Sequence, residues 1–501
     1  MGARDAAAQY QREGATVAHR ETAPTDLEAA IAAIRSGPQG PEVAAVFDFG
    51  GAVVDGFARP SLLRRVFRPN ASRTAAATLL GGIRNGLTDG EYGRFVHLSM
   101  QALAGRPEAE LDALGQRLFE RSIYGRLYPE AWRLIRTHEA AGHTVVLATS
   151  LTRFQVAPAA AALGIEHVLY TPMATSEGIL TGYVEGKTLW RNGKSDAVGS
   201  FAAARGIDLG RSYAYSDTLA DLPLLSLVGH PVAVNPDRRL SVVTAEQDWP
   251  RLTFRPRQMP SPADYGRTIT GFAALLGGAF LGVIAKSYTR QRRKMADGLM
   301  DYATRGTLGA IGVRIRVSGA EHARAPRPAV FLFNHQSQFD VVIVPKVLAG
   351  GVTGIGKKEL TRNPIFGPLM RFVGVTFIDR SNTAQAKAAL APVVETLREG
   401  LSIAVAPEGH RSYTPSPLPF KKGAFHIALQ AGVPVIPVVI RNAGEISWRN
   451  SMVARKGTVD VAILAPIDVS GWNPDDMDDE VEAVRQLYLD TLLNWPKPDA
   501  D

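Results

Sequence analysis

A histidine and an aspartate five residues apart form the first candidate catalytic pair. The segment Asn334–Asp340 reads Asn-His-Gln-Ser-Gln-Phe-Asp, and His335 is the only one of the ten histidines with an aspartate five positions later. A carboxylate that holds one ring nitrogen of a histidine leaves the other nitrogen to accept a proton, which is a general-base arrangement. Because the sequence has no cysteine and no Gly-x-Ser-x-Gly element, we expect His335 to activate an acceptor hydroxyl that attacks an acyl thioester.

Further polar groups follow two later apolar runs. Arg380 comes after Ile378-Asp379, and Pro407–Ser412 reads Pro-Glu-Gly-His-Arg-Ser. The loop Phe420–Gly423 is basic and contains a glycine. A guanidinium group is a planar fork of donors that suits phosphate oxygens. These residues therefore favour an acceptor that carries a phosphate group.

A second group of candidate residues lies in the N-terminal half. Asp48 directly follows an apolar run, Asp217 and Asp221 follow another, and Thr149 and Lys194 lie between them in the sequence. Carboxylates at neighbouring strand ends suit Mg²⁺, which prefers oxygen ligands. An aspartate can also attack phosphorus to give an aspartyl-phosphate, while Lys and Thr neutralise the transferred phosphoryl group. The pattern indicates phosphoryl chemistry.

Short apolar runs that alternate with helical patterns must position both groups. In the N-terminal half the strand-like runs are Val43–Phe47, Thr144–Ala148, Tyr213–Tyr215 and Pro231–Val234. In the C-terminal half they are Val330–Asn334, Gly374–Arg380, Ser402–Gly409 and Val433–Ile440. Strands that alternate with helices and end in polar residues predict parallel sheets with ligands at the carboxyl ends of the strands. The predicted fold class is therefore α/β in both halves.

The stretch between the two halves has the composition of a membrane-associating segment. Pro250–Pro262 reads as a linker, and Thr268–Ala285 runs for 18 residues without a charge. From Arg251 to Val330 there are 14 Lys and Arg against 4 Asp and Glu, although the net charge of the whole chain is only +8. An uncharged helix beside basic residues favours an anionic lipid surface over nucleic acid. We expect monotopic or peripheral attachment to the cytoplasmic face of the cell membrane, because a single crossing would place the N-terminal half outside.

The N-terminal pattern resembles the haloacid dehalogenase (HAD) superfamily, subfamily IB, over roughly Val43–Asp248. The family's second, third and fourth motifs are matched by the segment ending in Thr149-Ser150, by Gly193-Lys194 and by Tyr215–Leu225. The resemblance implies a doubly wound parallel sheet with a helical cap at about 57–127. It also implies that Thr149 contacts phosphate through its hydroxyl group.

The first HAD motif departs from the family pattern. It reads Asp48-Phe49-Gly50-Gly51-Ala52, so that Gly50 stands where family phosphatases have an aspartate as general acid/base, and Ala52 stands in place of Thr. Asp48, Asp217 and the backbone carbonyl of Gly50 would hold Mg²⁺. Because Gly50 cannot carry a proton, we expect little phosphatase activity.

The C-terminal pattern resembles the 1-acyl-glycerol-3-phosphate acyltransferase (lysophosphatidate acyltransferase, PlsC-type) family over about Gly306–Pro466. Four family blocks occur in order: Asn334–Asp340, Gly374–Arg380, Pro407–Ser412 and the apolar run Val433–Ile440 with its internal Pro437. Ala406 and His410 stand where the third block has Phe and Thr. By resemblance, His335 and Asp340 are catalytic, and Arg380, Glu408, Gly409 and Arg411 bind the acceptor's phosphate. Pro437 marks the acyl-site strand in this resemblance, and a structural proline at a strand edge is the alternative.

Together the two resemblances match known bacterial proteins in which a HAD-IB domain precedes an acyltransferase. We predict an N-terminal tail (1–42), a HAD-IB-like domain (43–248), a membrane-facing segment (249–305) and an acyltransferase domain (306–501). The expected reaction moves an acyl group from acyl-CoA or acyl carrier protein to the sn-2 hydroxyl of a lysophospholipid, 1-acyl-glycerol-3-phosphate, and needs no cofactor. A glycerol-3-phosphate or other lysolipid acyltransferase is one alternative, and an active phosphatase that feeds the acyltransferase is another.

Overall fold

The computed structural model describes residues 26–56, 88–257, 259–324, 326–378, 391–449, 451–475 and 477–496. The chain divides into two compact units, Met1–Pro256 and Arg257–Asp501. Each unit is built around a largely parallel sheet with helices, so the predicted α/β class is confirmed. Most of the predicted tail and the segment 57–87 of the predicted cap lie outside the described residues.

The first unit has a six-stranded sheet in the order β3-β2-β1-β6-β7-β8, in which every neighbouring pair is parallel. Its strands are β1 (Ala44–Asp48), β2 (Thr144–Ala148), β3 (His167–Leu169), β4 (Met173–Ser176), β5 (Ile179–Val184), β6 (Tyr213–Ser216), β7 (His230–Val234) and β8 (Arg251–Leu252). Its helices are α1 (Leu27–Ser36), α2 (Asp89–Gln101), α3 (Glu108–Leu118), α4 (Pro129–Ala140), α5 (Arg153–Leu163), α6 (Asn192–Arg205), α7 (Leu222–Leu225) and α8 (Arg238–Glu246). Strands β4 and β5 form a separate antiparallel hairpin.

The four predicted strands of the first unit are confirmed to within one residue at each end. Strand β1 is buried along its whole length, as expected of a central strand with helices on both faces. Strand β8 extends the sheet with two residues that we predicted to be linker. Within the described part of the predicted cap the chain is helical, with α2, α3 and a π-helical turn at Phe119–Ile123.

The second unit has a seven-stranded sheet in the order β12-β11-β13-β10-β14-β15-β9. Its strands are β9 (Val313–Ser318), β10 (Val330–Phe333), β11 (Val352–Lys357), β12 (Thr376–Ile378), β13 (Ser402–Val405), β14 (Val435–Arg441) and β15 (Gly457–Ile463). Its helices are α9 (Pro262–Ser287), α10 (Arg292–Ile311), α11 (Asp340–Leu348), α12 (Phe366–Phe372), α13 (Ala391–Arg398), α14 (Gly423–Ala431), α15 (Ala443–Ile446) and α16 (Asp478–Leu493). All neighbouring strands are parallel except β14 and β15.

Helices α9 and α10 form a closely packed hairpin. A Cβ atom placed on Gly278 would lie 2.6 Å from the carbonyl oxygen of Tyr302, and one placed on Gly282 would lie 2.1 Å from that of Gly298. Glycine at these positions therefore lets the two backbones touch, as small residues do wherever helices approach closely. Ser261 and Asp264 begin α9 with a capping box.

Much of the apolar surface of α9 faces away from its own unit. Ile269 is 70% exposed, Phe280 67% and Ile284 51%. By length and composition α9 could cross a membrane, and it is the one such helix among the described residues. Exposed large apolar groups on one helix are a feature of surfaces that contact a lipid or a partner.

Candidate functional site

The predicted catalytic pair of the second unit lies where the central strand β10 ends. His335 follows the end of β10 by two residues, and Asp340 opens α11. His335 Nδ1 is 2.7 Å from Asp340 Oδ2, and the aspartate side chain is 0% exposed while the histidine side chain is 24% exposed. The carboxylate accepts the proton on Nδ1, so Nε2 is left as the ring atom that can accept a proton from a substrate.

The orienting carboxylate is itself held by backbone groups. Asp340 Oδ2 accepts hydrogen bonds from the backbone N–H of Gln336 at 2.9 Å and of Ser337 at 3.0 Å. These bonds close the turn between β10 and α11 onto the first residue of the helix. The turn therefore brings His335 back to an aspartate five positions later, as the sequence required.

Two further residues of the same motif anchor the turn to the sheet and the neighbouring loop. The Asn334 side chain donates to the carbonyl of Ile440 at 2.9 Å and accepts from its N–H at 2.7 Å. Ser337 Oγ donates to the carbonyl oxygen of Ser447 at 2.8 Å. Both side chains are fully buried. From the sequence we gave Asn334 and Ser337 no role. Their position within the family block Asn334–Asp340 was the signal that could have identified them.

The loop that follows β13 closes over the histidine turn. Glu408 Oε1 accepts from the backbone N–H of His335 at 2.6 Å, and Oε2 accepts from that of Leu418 at 2.7 Å. The backbone N–H of Ser412 donates to the carbonyl oxygen of His335 at 2.8 Å. Burial raises the pKa of Glu408 to about 8, because removing a carboxylate from water disfavours its charge more than two N–H donors favour it.

The predicted phosphate-binding residues are only partly gathered around this turn. The guanidinium of Arg411 donates to the carbonyl oxygen of Arg449, and the guanidinium of Arg449 donates back to that of Arg411. The Arg449 guanidinium also lies 3.7 Å from the centre of the Tyr413 ring. Gly409 has a φ of 78°, in the left-handed region that favours glycine. Arg380 lies outside the described residues.

Pro437 is in the interior of the sheet, which rules out the strand-edge alternative. It lies on β14, between β10 and β15, opposite Leu332. Proline has no N–H for the ladder, and here the buried hydroxyl of Tyr488 bridges the strands. It donates to the carbonyl of Leu332 at 2.7 Å and accepts from the N–H of Val438 at 3.3 Å.

The predicted site of the first unit lies at the carboxyl ends of β1, β2 and β6. Lys194 Nζ is 2.7 Å from Asp48 Oδ1 and 2.8 Å from Asp221 Oδ2, and all three residues are buried. Ser216 Oγ donates to Asp221 Oδ2 at 2.7 Å. Thr149 is also buried at the end of β2, where its hydroxyl accepts from the N–H of Leu151 at 3.2 Å. The structure thus places Lys194 between two of the three predicted carboxylates.

Asp217 completes this group from beside Gly51. A Cβ atom on Gly51 would lie 1.9 Å from the Asp217 carboxyl carbon, so only glycine leaves room for that carboxylate. Burial, together with the charges of Asp48 and Asp221, raises the pKa of Asp217 well above its ordinary value. Burial raises the pKa of Asp48 to about 6, against the opposing effect of Lys194 and with a contribution from Asp221. Asp48 and Asp221 therefore share the Lys194 ammonium group, while the half-buried Asp217 lies close enough for the charges of both to affect its pKa.

This donor set is compatible with a divalent cation, although it is sparse. No group of three or more His, Cys, Asp or Glu side chains in the described ranges is placed to hold a metal ion. The excess of buried negative charge is the property that a cation such as Mg²⁺ would offset. Asp48, Asp217 and the backbone carbonyl of Gly50 are the oxygen donors that would hold it.

Comparisons with known proteins match both halves of the chain. Residues 314–441 match the family model described as Acyltransferase, and residues 45–226 match the one described as haloacid dehalogenase-like hydrolase. The chain is 32% identical over 241 residues to the 1-acyl-sn-glycerol-3-phosphate acyltransferase of Saccharomyces cerevisiae, a match that covers 46% of this chain and 77% of the yeast protein. It is 36% identical over 179 residues to the 1-acyl-sn-glycerol-3-phosphate acyltransferase alpha of Homo sapiens.

The human match covers 36% of this chain and 63% of the human protein, so the chain spans a little under two thirds of that relative. Among solved structures, the 1-acyl-sn-glycerophosphate (LPA) acyltransferase PlsC from Thermotoga maritima is 25% identical. That match covers 47% of this chain and 98% of the other, with a TM-score of 0.41.

Proposed function

Because the chain belongs to the family of the 1-acyl-sn-glycerol-3-phosphate acyltransferases, we propose that its second unit acylates the sn-2 hydroxyl of 1-acyl-glycerol-3-phosphate to give phosphatidate. The acyl donor is acyl-CoA or acyl carrier protein. The hydrogen bond between His335 and the buried Asp340 carries this proposal, since it supplies an oriented general base at the carboxyl end of the central strand β10. The reaction needs no further cofactor.

The proposed step moves one proton and one acyl group. His335 Nε2 takes the proton of the acceptor hydroxyl while the hydroxyl oxygen attacks the carbonyl carbon of the thioester. The carbon–sulfur bond then breaks, and the departing thiolate takes the proton from His335. Asp340 stays ionised and stabilises the transient imidazolium through Nδ1. The products are the ester and the free thiol.

We propose that Arg380, Gly409 and Arg411 bind the acceptor's phosphate. Two arginines and the loop after β13 supply the charge and the donors that phosphate requires. His410 stands where the family block has Thr. This difference keeps glycerol-3-phosphate and other lysolipids as alternative acceptors.

Attachment to a membrane surface is the proposed setting of the reaction. The last turn of α9 contains Lys286, and the basic segment Arg290–Lys294 follows the helix in the sequence. Apolar groups that enter the acyl boundary beside cations that meet anionic headgroups are the features of a monotopic attachment. We propose that this surface lies on the cytoplasmic face of the cell membrane.

For the first unit we propose a HAD-like scaffold with little phosphatase turnover. Asp48 keeps the nucleophile's position, and Lys194 and Thr149 would meet a phosphoryl group there. Mg²⁺, when bound, would neutralise the charge of that group. Gly50 offers no side chain to protonate a leaving group, which is the reason to expect slow turnover.

Lipid product analysis with the purified full chain tests the main proposal. The protein is incubated with radiolabelled acyl-CoA or acyl carrier protein and with lysophosphatidate, glycerol-3-phosphate or another lysophospholipid. We expect labelled phosphatidate from lysophosphatidate and an equal amount of free thiol. Acylation of another acceptor in preference would replace the proposed substrate, and thiol release without a labelled lipid would reject acyl transfer.

A further inference from the structure

We propose that Glu408 is a positioning residue that holds the His335 turn in place, and that it does not contact the acceptor's phosphate. This inference rests on the proposed acyl transfer. It differs from the role that the family resemblance gives to Glu408, because the structure turns the carboxylate inward.

Both carboxylate oxygens of Glu408 already have backbone partners. One accepts from the N–H of His335 and the other from the N–H of Leu418, at 2.6 and 2.7 Å. The residue is 1% exposed, so a phosphate in solvent cannot reach it. Both oxygens already accept from N–H groups, so neither is available to a bound phosphate.

These bonds connect the turn at the catalytic histidine to the loop that follows β13. Glu408 holds the N–H of His335, and Ser412 in the same loop holds its carbonyl oxygen. The bond to Leu418 closes the loop on itself, ten residues further along the chain. The peptide groups on both sides of His335 are thereby fixed to the loop that carries Gly409 and Arg411. Loss of the carboxylate should move the base relative to the bound acceptor.

The test compares Glu408→Gln with Glu399→Gln, an exposed glutamate on the same unit. An amide can accept from only one of the two N–H groups, and its NH₂ group would face the other. We expect kcat to fall by about 10-fold or more in Glu408→Gln while the acceptor KM changes by less than about 3-fold, because misplacement of a base costs turnover before binding. The loss should be equal for lysophosphatidate and for monoacylglycerol, which has no phosphate. Glu399→Gln should match the wild type.

A rise in KM that is confined to the phosphate-bearing acceptor would overturn this assignment. If Glu408→Gln does not fold, as judged by calorimetry, Glu408→Asp provides the same comparison, because it keeps the carboxyl group but is too short to reach both donors. Wild-type activity on a different acceptor would refute the proposed substrate alone, and the comparison of kcat with KM would then be made on that acceptor.

A separate observation points to Lys421 as an additional ligand for the acceptor's phosphate. Its Nζ lies 3.1 Å from the position of a Cβ atom on Gly409, so the ammonium group lies against that glycine. Its backbone N–H donates to the carbonyl oxygen of Pro407 at 3.0 Å, which ties the lysine to the same loop. The neighbouring Lys422 instead pairs with Asp478 at 2.7 Å. One cation of the basic loop thus lies beside the site, while the next is engaged elsewhere.

Lys421→Ala and Lys422→Ala form a matched pair for this second inference. We expect Lys421→Ala to raise the KM for lysophosphatidate about 10-fold, the size of one lost charged hydrogen bond, with kcat nearly unchanged. The KM for monoacylglycerol should stay within about 2-fold, and Lys422→Ala should match the wild type. Equal effects of the two variants, or an equal effect on both acceptors, would refute a phosphate contact by Lys421.

Discussion

At the scale of single residues, His335 and Asp340 should contribute to the chemical step and not to binding of the acceptor. His335→Ala should lower kcat by about 10²-fold or more, since general-base catalysis is worth about that much. Asp340→Asn should also lower kcat strongly, because the amide cannot hold the same ring tautomer. Thiol release and labelled lipid measured together check both variants, with the Kd for acceptor expected to stay within about 3-fold. Full activity in His335→Ala would remove the basis of the proposed function.

Glu408 should also make the stability of the second unit depend on pH. Its pKa is raised to about 8 from the ordinary 4.5, so the folded chain holds a proton that the unfolded chain releases. The stabilisation is complete below pH 4.5 and is lost as the pH rises through 8. Relative to Glu408→Gln, the wild type should lose stability between these values, by at most about 1.4 kcal/mol per pH unit.

Calorimetry of both proteins at about pH 5, about 6.5 and about 8 isolates this effect. The other titrating groups are common to the two proteins and cancel in the difference. A difference in Tm that stays constant with pH would show that Glu408 is ionised throughout.

At the scale of helices, the seam between α9 and α10 permits only glycine where the backbones touch. Gly278→Ala should destabilise the second unit by about 1–3 kcal/mol, since the added methyl group would overlap the backbone of Tyr302. Gly277→Ala is the matched control, because nothing lies within 4 Å of its Cβ position. Gly277→Ala should stabilise α9 by up to about 1 kcal/mol, because alanine is a better helix former than glycine. Urea unfolding of both variants checks the prediction, and equal stabilities would contradict a tight seam.

At the scale of the whole molecule, the exposed face of α9 should determine membrane association. Replacing Phe280 and Ile284 by Asp leaves the core unchanged, because both side chains are more than half exposed. We expect the double variant to sediment with anionic liposomes at least about 10-fold less than the wild type. Tyr183→Asp, an exposed aromatic of the first unit at 59%, serves as the control. Undiminished sedimentation of the double variant would exclude α9 as the attachment surface.

Two substitutions should restore phosphatase activity to the first unit. Gly50→Asp with Ala52→Thr returns the proton carrier to a site that keeps Asp48, Lys194 and Asp217. Phosphate release in the presence of Mg²⁺ should rise by about 10²-fold or more over the wild type, the usual contribution of a general acid. Acyl transfer should be unaffected. Strong wild-type hydrolysis that Asp48→Asn abolishes would instead establish an active phosphatase.

The sequence by itself predicted the α/β class, the order of the motifs and four strands in each unit, out of eight described in the first and seven in the second. Central parallel strands such as β1 and β14 are continuous apolar runs, so they can be recognised without knowledge of their neighbours. Strand β9 was missed because its outward positions carry Arg314 and Arg316. Strand β15 was missed because the buried Asp460 interrupts its apolar run, and β11 because it contains two glycines. The pairing of His335 with Asp340 was predictable because both lie in one short segment.

Tertiary structure alone decided which way the other side chains of the site face. Glu408 meets the N–H of His335 across 73 residues of chain, and that contact exists only because β10 and β13 are neighbours in the sheet. Pro437 was placed inside the sheet by the pairing of β14 with β15, and the compensating hydroxyl comes from Tyr488 on a distant helix. Local sequence patterns reflect secondary-structure propensity and burial, which depend on residues close together in the sequence. The direction of a polar side chain is fixed by partners that only the folded chain brings within hydrogen-bonding distance.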